Sequence, residues 1–351
     1  MTKRERVVTA MSGNRPDRVP KSAGFTPTIQ RKFEEATGHS DAAAYFDYDS
    51  TGVGFGGPAE ATDWSPYYPD GVAEGCFYSE YGTAHTPGSF EHFWRLDYPL
   101  KRCSSLSELE QFPWPDVTEP QRHEHLEAEV STLHAQGWYV QGSVGHIWEN
   151  AWQITSMEKL MMDFIEHPEQ AGYVLERLTA DAQFRAKRFA QAGCDGILCG
   201  DDIGMQQKLM FHPDLWRRWL KPSWARVWKT AREIKPDIQI FYHSDGNIEA
   251  VIDDLIEIGM DILNPVQPEC MDPAKLKAQY GDRLAFWGCV GTQTTFPFGT
   301  PDEMRSTIRH LIETVGEGGG LYLAPTHVLE PEVPWDNIAA FFEAVHEYGT
   351  Y

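Results

Sequence analysis

Through the second half of the chain, short apolar and β-branched runs alternate with long amphipathic stretches. The runs cover residues 138–142, 196–200, 238–242, 260–264, 284–288 and 321–325. Each is largely apolar, as a strand buried on both faces of a parallel sheet is. Between them lie helical patterns. Residues 168–192 open with Pro168 and end before Gly193, the expected order of helix start and stop signals. Residues 213–235 carry Pro222, which predicts a kink or a split there. Residues 248–258 stop at Gly259, residues 301–315 stop at Gly316, and residues 335–348 form a last helix. This alternation predicts βαβ units and a parallel sheet.

The first half is less regular. Residues 18–25 and 50–55 are weaker strand candidates, and with the other six they reach the strand count of a closed barrel. Residues 56–120, rich in Gly, Pro, Tyr and Trp, read as a long loop with hairpins inserted over a barrel mouth. The expectation is α/β: one domain over residues 1–351, a single (β/α)8 TIM-type barrel with that N-terminal insertion. The alternative parallel architecture is an open doubly wound sheet. Polar groups follow each strand, and a barrel would gather them at one mouth, whereas an open sheet would spread them along a crevice.

Those groups are the candidate chemistry. Glu149 follows the third strand; Asp201, Asp202 and Gln206 follow the fourth; His243 and Asp245 the fifth; Asn264 and Gln267 the sixth; Cys289, Thr292 and Gln293 the seventh; His327 the eighth. Strand alternation puts His243 and Asp245 on one face. Two readings of that pair stay open. They could ligate a metal, with His327 completing a His/carboxylate/His set suited to zinc, Fe(II) or Mn(II). Alternatively, Asp245 caps the helix near Asn247 and His243 bonds to it. Asp201, Asp202 and Glu149 are candidates for acid, base or substrate anchor, or for favourable charges at a helix start. Gln206, Asn264, Gln267, Thr292 and Gln293 are candidate substrate-binding residues. Cys289 is a possible soft ligand or an inert buried thiol. The recurring Trp216, Trp219, Trp224 and Trp228 read as core or interface. Gly316–Gly320 precedes a strand rather than a helix and is no phosphate loop.

Composition narrows the partners. The 351 residues carry 52 acids against 30 bases, a net charge of −22, which repels a phosphate backbone and argues against nucleic acid. No stretch of about twenty apolar residues predicts a membrane span. Six scattered cysteines, none in a Cys-x-x-Cys pair, and a charged start without an apolar run behind it fit a cytoplasmic protein. A homodimer stays open.

The stretches Gly200-Asp201-Asp202-Ile203-Gly204, Tyr242-His243-Ser244-Asp245-Gly246-Asn247-Ile248, Ile262-Leu263-Asn264-Pro265-Val266-Gln267, Phe286-Trp287-Gly288-Cys289-Val290-Gly291-Thr292-Gln293 and Leu323-Ala324-Pro325-Thr326-His327 together resemble the uroporphyrinogen decarboxylase superfamily. The resemblance covers nearly the whole chain and is strong from about Trp152 onward. Its decarboxylases use no metal and bind porphyrinogen carboxylates through an arginine-rich stretch near the start. This chain has Lys21-Ser22-Ala23-Gly24-Phe25-Thr26-Pro27 there, without the arginines. The resemblance is closer to the cobamide-dependent methyltransferases, whose zinc is held by a His-x-Cys-Gly motif and a later Cys. His243 keeps the His, Asp245 stands where the first Cys would be, and His327 where the last would be. The resemblance therefore implies a divalent metal, zinc above all, and a corrinoid carried on a separate partner protein. The harder ligands suit a methoxy or methanol-like donor. The alternative is a metal-free decarboxylase or lyase acting on a small carboxylic acid.

Overall fold

The computed structural model describes residues 1–88 and 93–351. Among the described residues, ten strands form two sheets. A seven-stranded parallel sheet runs β1 (Ser50–Val53), β5 (Tyr139–Gly145), β6 (Gly196–Gly200), β7 (Gln239–His243), β8 (Ile262–Asn264), β9 (Ala285–Val290) and β10 (Leu321–Pro325), each pairing with the next. A small antiparallel sheet joins β2 (Phe77–Tyr78), β3 (Ala84–Pro87) and β4 (Trp94–Asp97).

The parallel sheet is curled. Tyr139 on β5 and Trp287 on β9 approach to 6.4 Å between ring centroids, although β6, β7 and β8 lie between their strands. Ser50 on β1 and Tyr322 on β10 bond across 2.8 Å, although they sit on opposite edge strands. The predicted strand at residues 18–25 is reduced to isolated bridges, Lys21 to Leu323 and Phe25 to Leu329. Pro20 lacks an N–H for a ladder. Its carbonyl still accepts from Leu323 N, and the Lys21 carbonyl accepts from Asp49 N, so this segment touches both sheet edges.

Two apolar clusters fill the fold. The larger lies between sheet and helices and includes Ile197, Ile240, Tyr242, Trp224 and Trp228. The smaller lies inside the curl: Tyr139, Phe241, Ile262, Ala285, Trp287, Tyr322 and Ala324, closed at one end by Val7, Ala10 and Met11 of the helix Lys3–Met11. The two faces of each strand thus enter different cores, which explains the largely apolar runs.

The long Trp-rich helix pattern breaks as its proline predicts, into Pro213–Trp219 and Lys221–Ile234. Trp216, Trp224 and Trp228 are fully buried. The 56–120 stretch holds the antiparallel sheet, and residues 89–92 of it lie outside the described residues. It packs on the helices Trp148–Thr155 and Pro168–Ala192: Thr83 Oγ1 donates to the Gln153 carbonyl at 2.7 Å, and Tyr81 OH to Asp181 at 3.1 Å. No helix among the described residues is long and apolar enough to cross a membrane.

Candidate functional site

Strand parity decides which polar groups face the inside of the curl. On β7, Phe241 belongs to the inner cluster, so His243, two residues on, faces the same way at the strand's carboxyl end. Leu198 on β6 packs against that cluster, so the parity carries through Gly200 to Asp202. The segments after β6 and β7 then interlock. Met205 bridges to Asn247, and Asp245 N donates to Asp202 Oδ1 at 2.8 Å. His243 Nε2 lies 3.5 Å from Asp202 Oδ1 and 4.0 Å from Asp245 Oδ1. Asp202, His243 and Asp245 form one group whose ligand atoms all lie within 4.8 Å of one another. Asp245 Oδ1 is buried without a hydrogen-bond partner. Burial, and then the Asp202 carboxylate, push the Asp245 carboxyl up to about 6, against His243 and His327. Burial is the larger cause and the neighbouring carboxylate the second.

His327 stands outside this close group. Its side chain is half exposed and its Nδ1 is 3.8 Å from Glu330. It is near enough for its charge to act on Asp245.

Asp201 has the opposite parity and is completely buried. Its Oδ1 accepts from the backbone N–H groups of Ile147, Trp148 and Glu149 at 2.8, 2.6 and 3.3 Å, at the start of the helix Trp148–Thr155. Its Oδ2 accepts from Trp224 Nε1 at 2.8 Å. Burial pushes its carboxyl up to about 7, against His146 and these donors.

That anchored helix carries Glu149. His146 Nδ1 lies 2.6 Å from Glu149 Oε2 and 2.7 Å from the Gly200 carbonyl. Burial alone would lower the imidazole, but Glu149 outweighs it and raises His146 to about 9. In return, His146 overcomes the burial of Glu149 and holds its carboxyl below the usual range. Glu149 Oε2 also accepts from Asp202 N at 3.4 Å, which links this pair to the first group. His146 has no assigned role in the sequence reading. The Gly-His-x-x-Glu spacing after a strand is the signal that could have found it.

The remaining candidates divide in two. Asn264 and Gln267 are buried and engaged with the frame: Asn264 bonds His243 and the Trp287 carbonyl, and Gln267 Oε1 accepts from Gly246 N at 2.6 Å. Gln206 and Gln293 are exposed, and Thr292 pairs its hydroxyl with Thr326 at 3.0 Å. Cys289 is 1% exposed and packs in the outer core. Gly288 and Cys289, at φ of +120° and +69°, break the strand alternation that would otherwise turn Cys289 inward. Burial pushes its thiol up to about 12, so it is held as the neutral thiol.

Residues 100–348 match the sequence profile described as Uroporphyrinogen decarboxylase (URO-D). The methylcobamide:CoM methyltransferase MtaA of Methanosarcina barkeri is 25% identical over 195 residues, covering 56% of this chain and 54% of that protein. A uroporphyrinogen decarboxylase of Psychromonas ingrahamii is 24% identical over 158 residues, covering 44% and 42%. The chain thus matches about half the length of these curated relatives. A solved methyltransferase from Methanosarcina mazei superposes with a TM-score of 0.70 over 99% of both chains, at 18% identity, which shows a shared fold. From the profile match over residues 100–348, the chain belongs to the uroporphyrinogen decarboxylase family.

Proposed function

We propose that this chain is a metal-dependent methyltransferase that takes a methyl group from a small oxygen-bearing substrate, a methyl ether or methanol-like donor, for delivery to a corrinoid on a separate protein. The observation that carries the reading is the buried, unpartnered Asp245 Oδ1 beside His243 Nε2 and Asp202. Two carboxylates and an imidazole nitrogen this close fit a divalent cation. His243 and Asp245 would hold it, with Asp202 from the close group or His327 from beyond it as third ligand. A divalent ion bound there supplies Lewis-acid polarisation of the substrate oxygen.

The chain's own groups do the rest. When the methyl group leaves as a cation equivalent, the substrate oxygen keeps the bonding electron pair and needs a proton. His146 and Glu149 share one across 2.6 Å and form the reserve beside Asp202. Asp201, with both oxygens engaged, positions the helix that carries Glu149 and does no proton work. The MtaA relative is by name a methylcobamide:CoM methyltransferase, which supports the corrinoid part of the reading.

The test is elemental analysis of the purified chain, with about one divalent ion expected, followed by a spectroscopic assay of methyl transfer from methoxy donors to a reduced corrinoid. His243→Ala should abolish metal retention. Asp202→Asn and His327→Ala identify the third ligand by which of them loses metal, and Cys289→Ser should keep it. Methyl transfer by metal-free protein would end the metal part of this reading, and a protein with neither metal nor methyl transfer would leave the metal-free lyase.

A further inference from the structure

His243 and Asn264 face each other across the β7–β8 ladder, so their side chains leave neighbouring strands on the same face. His243 Nδ1 is 2.6 Å from Asn264 Oδ1, and Asn264 Nδ2 donates to the Trp287 carbonyl at 2.8 Å. The origin of the second bond is in the backbone. β8 and β9 pair through Ile262 with Ala285 and Leu263 with Phe286, and there the ladder stops. Gly288 and Cys289 then turn through the left-handed region. Trp287 is thus left with a carbonyl at the end of a broken ladder, and the Asn264 amide satisfies it.

That bond orients the amide. With its nitrogen committed to a carbonyl, Asn264 presents its oxygen to the ring, and an oxygen can only accept. A neutral His243 must then carry its proton on Nδ1, leaving a lone pair on Nε2 facing Asp202 and Asp245. A free imidazole favours the opposite tautomer, so the arrangement is imposed by the frame. We infer that Asn264 is a positioning residue: it holds His243 as the Nδ1–H tautomer with Nε2 open toward the two carboxylates. The use of that lone pair rests on the metal reading above; the tautomer does not.

The test uses the metal-free full chain with 15N-labelled histidine, at a pH where the imidazole is neutral. Long-range proton–nitrogen spectra should show His243 protonated on Nδ1. In Asn264→Leu the ring should lose that preference, and zinc affinity measured by calorimetry should fall about ten- to a hundredfold. Asn264→Asp keeps an acceptor for Nδ1 but gives up the donor to the Trp287 carbonyl, so the wild-type tautomer, which needs no variant, decides the matter if the Leu variant does not fold. An Nε2–H tautomer in the wild type overturns the inference. So does a folded Leu variant with unchanged tautomer and unchanged zinc affinity. A wild type that binds no zinc but shows the Nδ1–H tautomer supports Asn264's role while removing the metal reading.

Discussion

Replacing Gly204 by Ala should damage the site without touching any of its functional side chains. Gly204 crosses Gly246 where the segments after β6 and β7 interlock. A Cβ built on Gly204 would lie 2.8 Å from both Asn247 N and Gly246 C, and closer still to the Asp245 carbonyl. The shortfall from ordinary van der Waals separation is about 0.6 Å or more. All three obstructing atoms are backbone, so no side chain can swing aside. Overpacking of this kind costs about 1–3 kcal/mol, which lowers the melting temperature by several degrees. The displaced atoms belong to the chain that carries Asp245, and Asp245 N is bonded to Asp202. The group of Asp202, His243 and Asp245 should therefore open, and the zinc binding proposed for it should weaken about tenfold or more. Gly57→Ala is the control, because nothing lies within 4 Å of a Cβ there. Differential scanning calorimetry and zinc titration on both variants suffice. A Gly204→Ala protein with the melting temperature and zinc affinity of Gly57→Ala would refute the reasoning.

Asp201→Asn should destabilise the chain by about 1–3 kcal/mol in urea unfolding, because an amide N–H₂ would face a buried N–H donor where an oxygen now accepts; an unchanged midpoint would contradict the anchoring role. His146 is raised from 6.5 to about 9 in the fold, so its stabilising contribution is complete below pH 6.5 and is lost as pH rises through 9. The melting temperature of the wild type should fall across that window relative to His146→Gln, and parallel curves would rule this out. Asp49→Ala should cost about 1–3 kcal/mol, since Lys21 N loses its fully buried acceptor and Arg6 and Arg18 lose one partner each while keeping Asp17 and Asp47; an unchanged midpoint in chemical denaturation would contradict this.

Much of the candidate site was legible because strand parity is a strong constraint. His243 and Asp245 sit two apart after a strand, and the structure brings them together with Asp202. Parity also separates Asp202 from Asp201, but only once the inward face of β6 is known, and Gly196-Ile197-Leu198-Cys199-Gly200 is too uniformly apolar to reveal it. Cys289 could not be placed from sequence, because the left-handed turn at Gly288 and Cys289 interrupts the alternation on which such readings depend. His146 was hidden differently: its partners are a carboxylate three residues on and the Gly200 carbonyl of another strand, a long-range contact. In the fold, the split at Pro222 was readable from backbone chemistry, whereas the weight of Pro20 against a strand at residues 18–25 was underestimated.

The helix Lys3–Met11 has a consequence for how the molecule is made. Synthesis delivers it before any strand, yet its apolar side chains rest on residues as late as Tyr322 and Ala324. Arg4 waits for Asp195, 191 positions downstream. A nascent chain therefore carries an amphipathic segment whose receptacle does not exist until the last strand has emerged, and the interior it will seal stays open to water until then. Contacts of such sequence separation make for slow closure. They also leave Tyr139, Phe241 and Trp287 available to chaperones, or to neighbouring chains, during the interval.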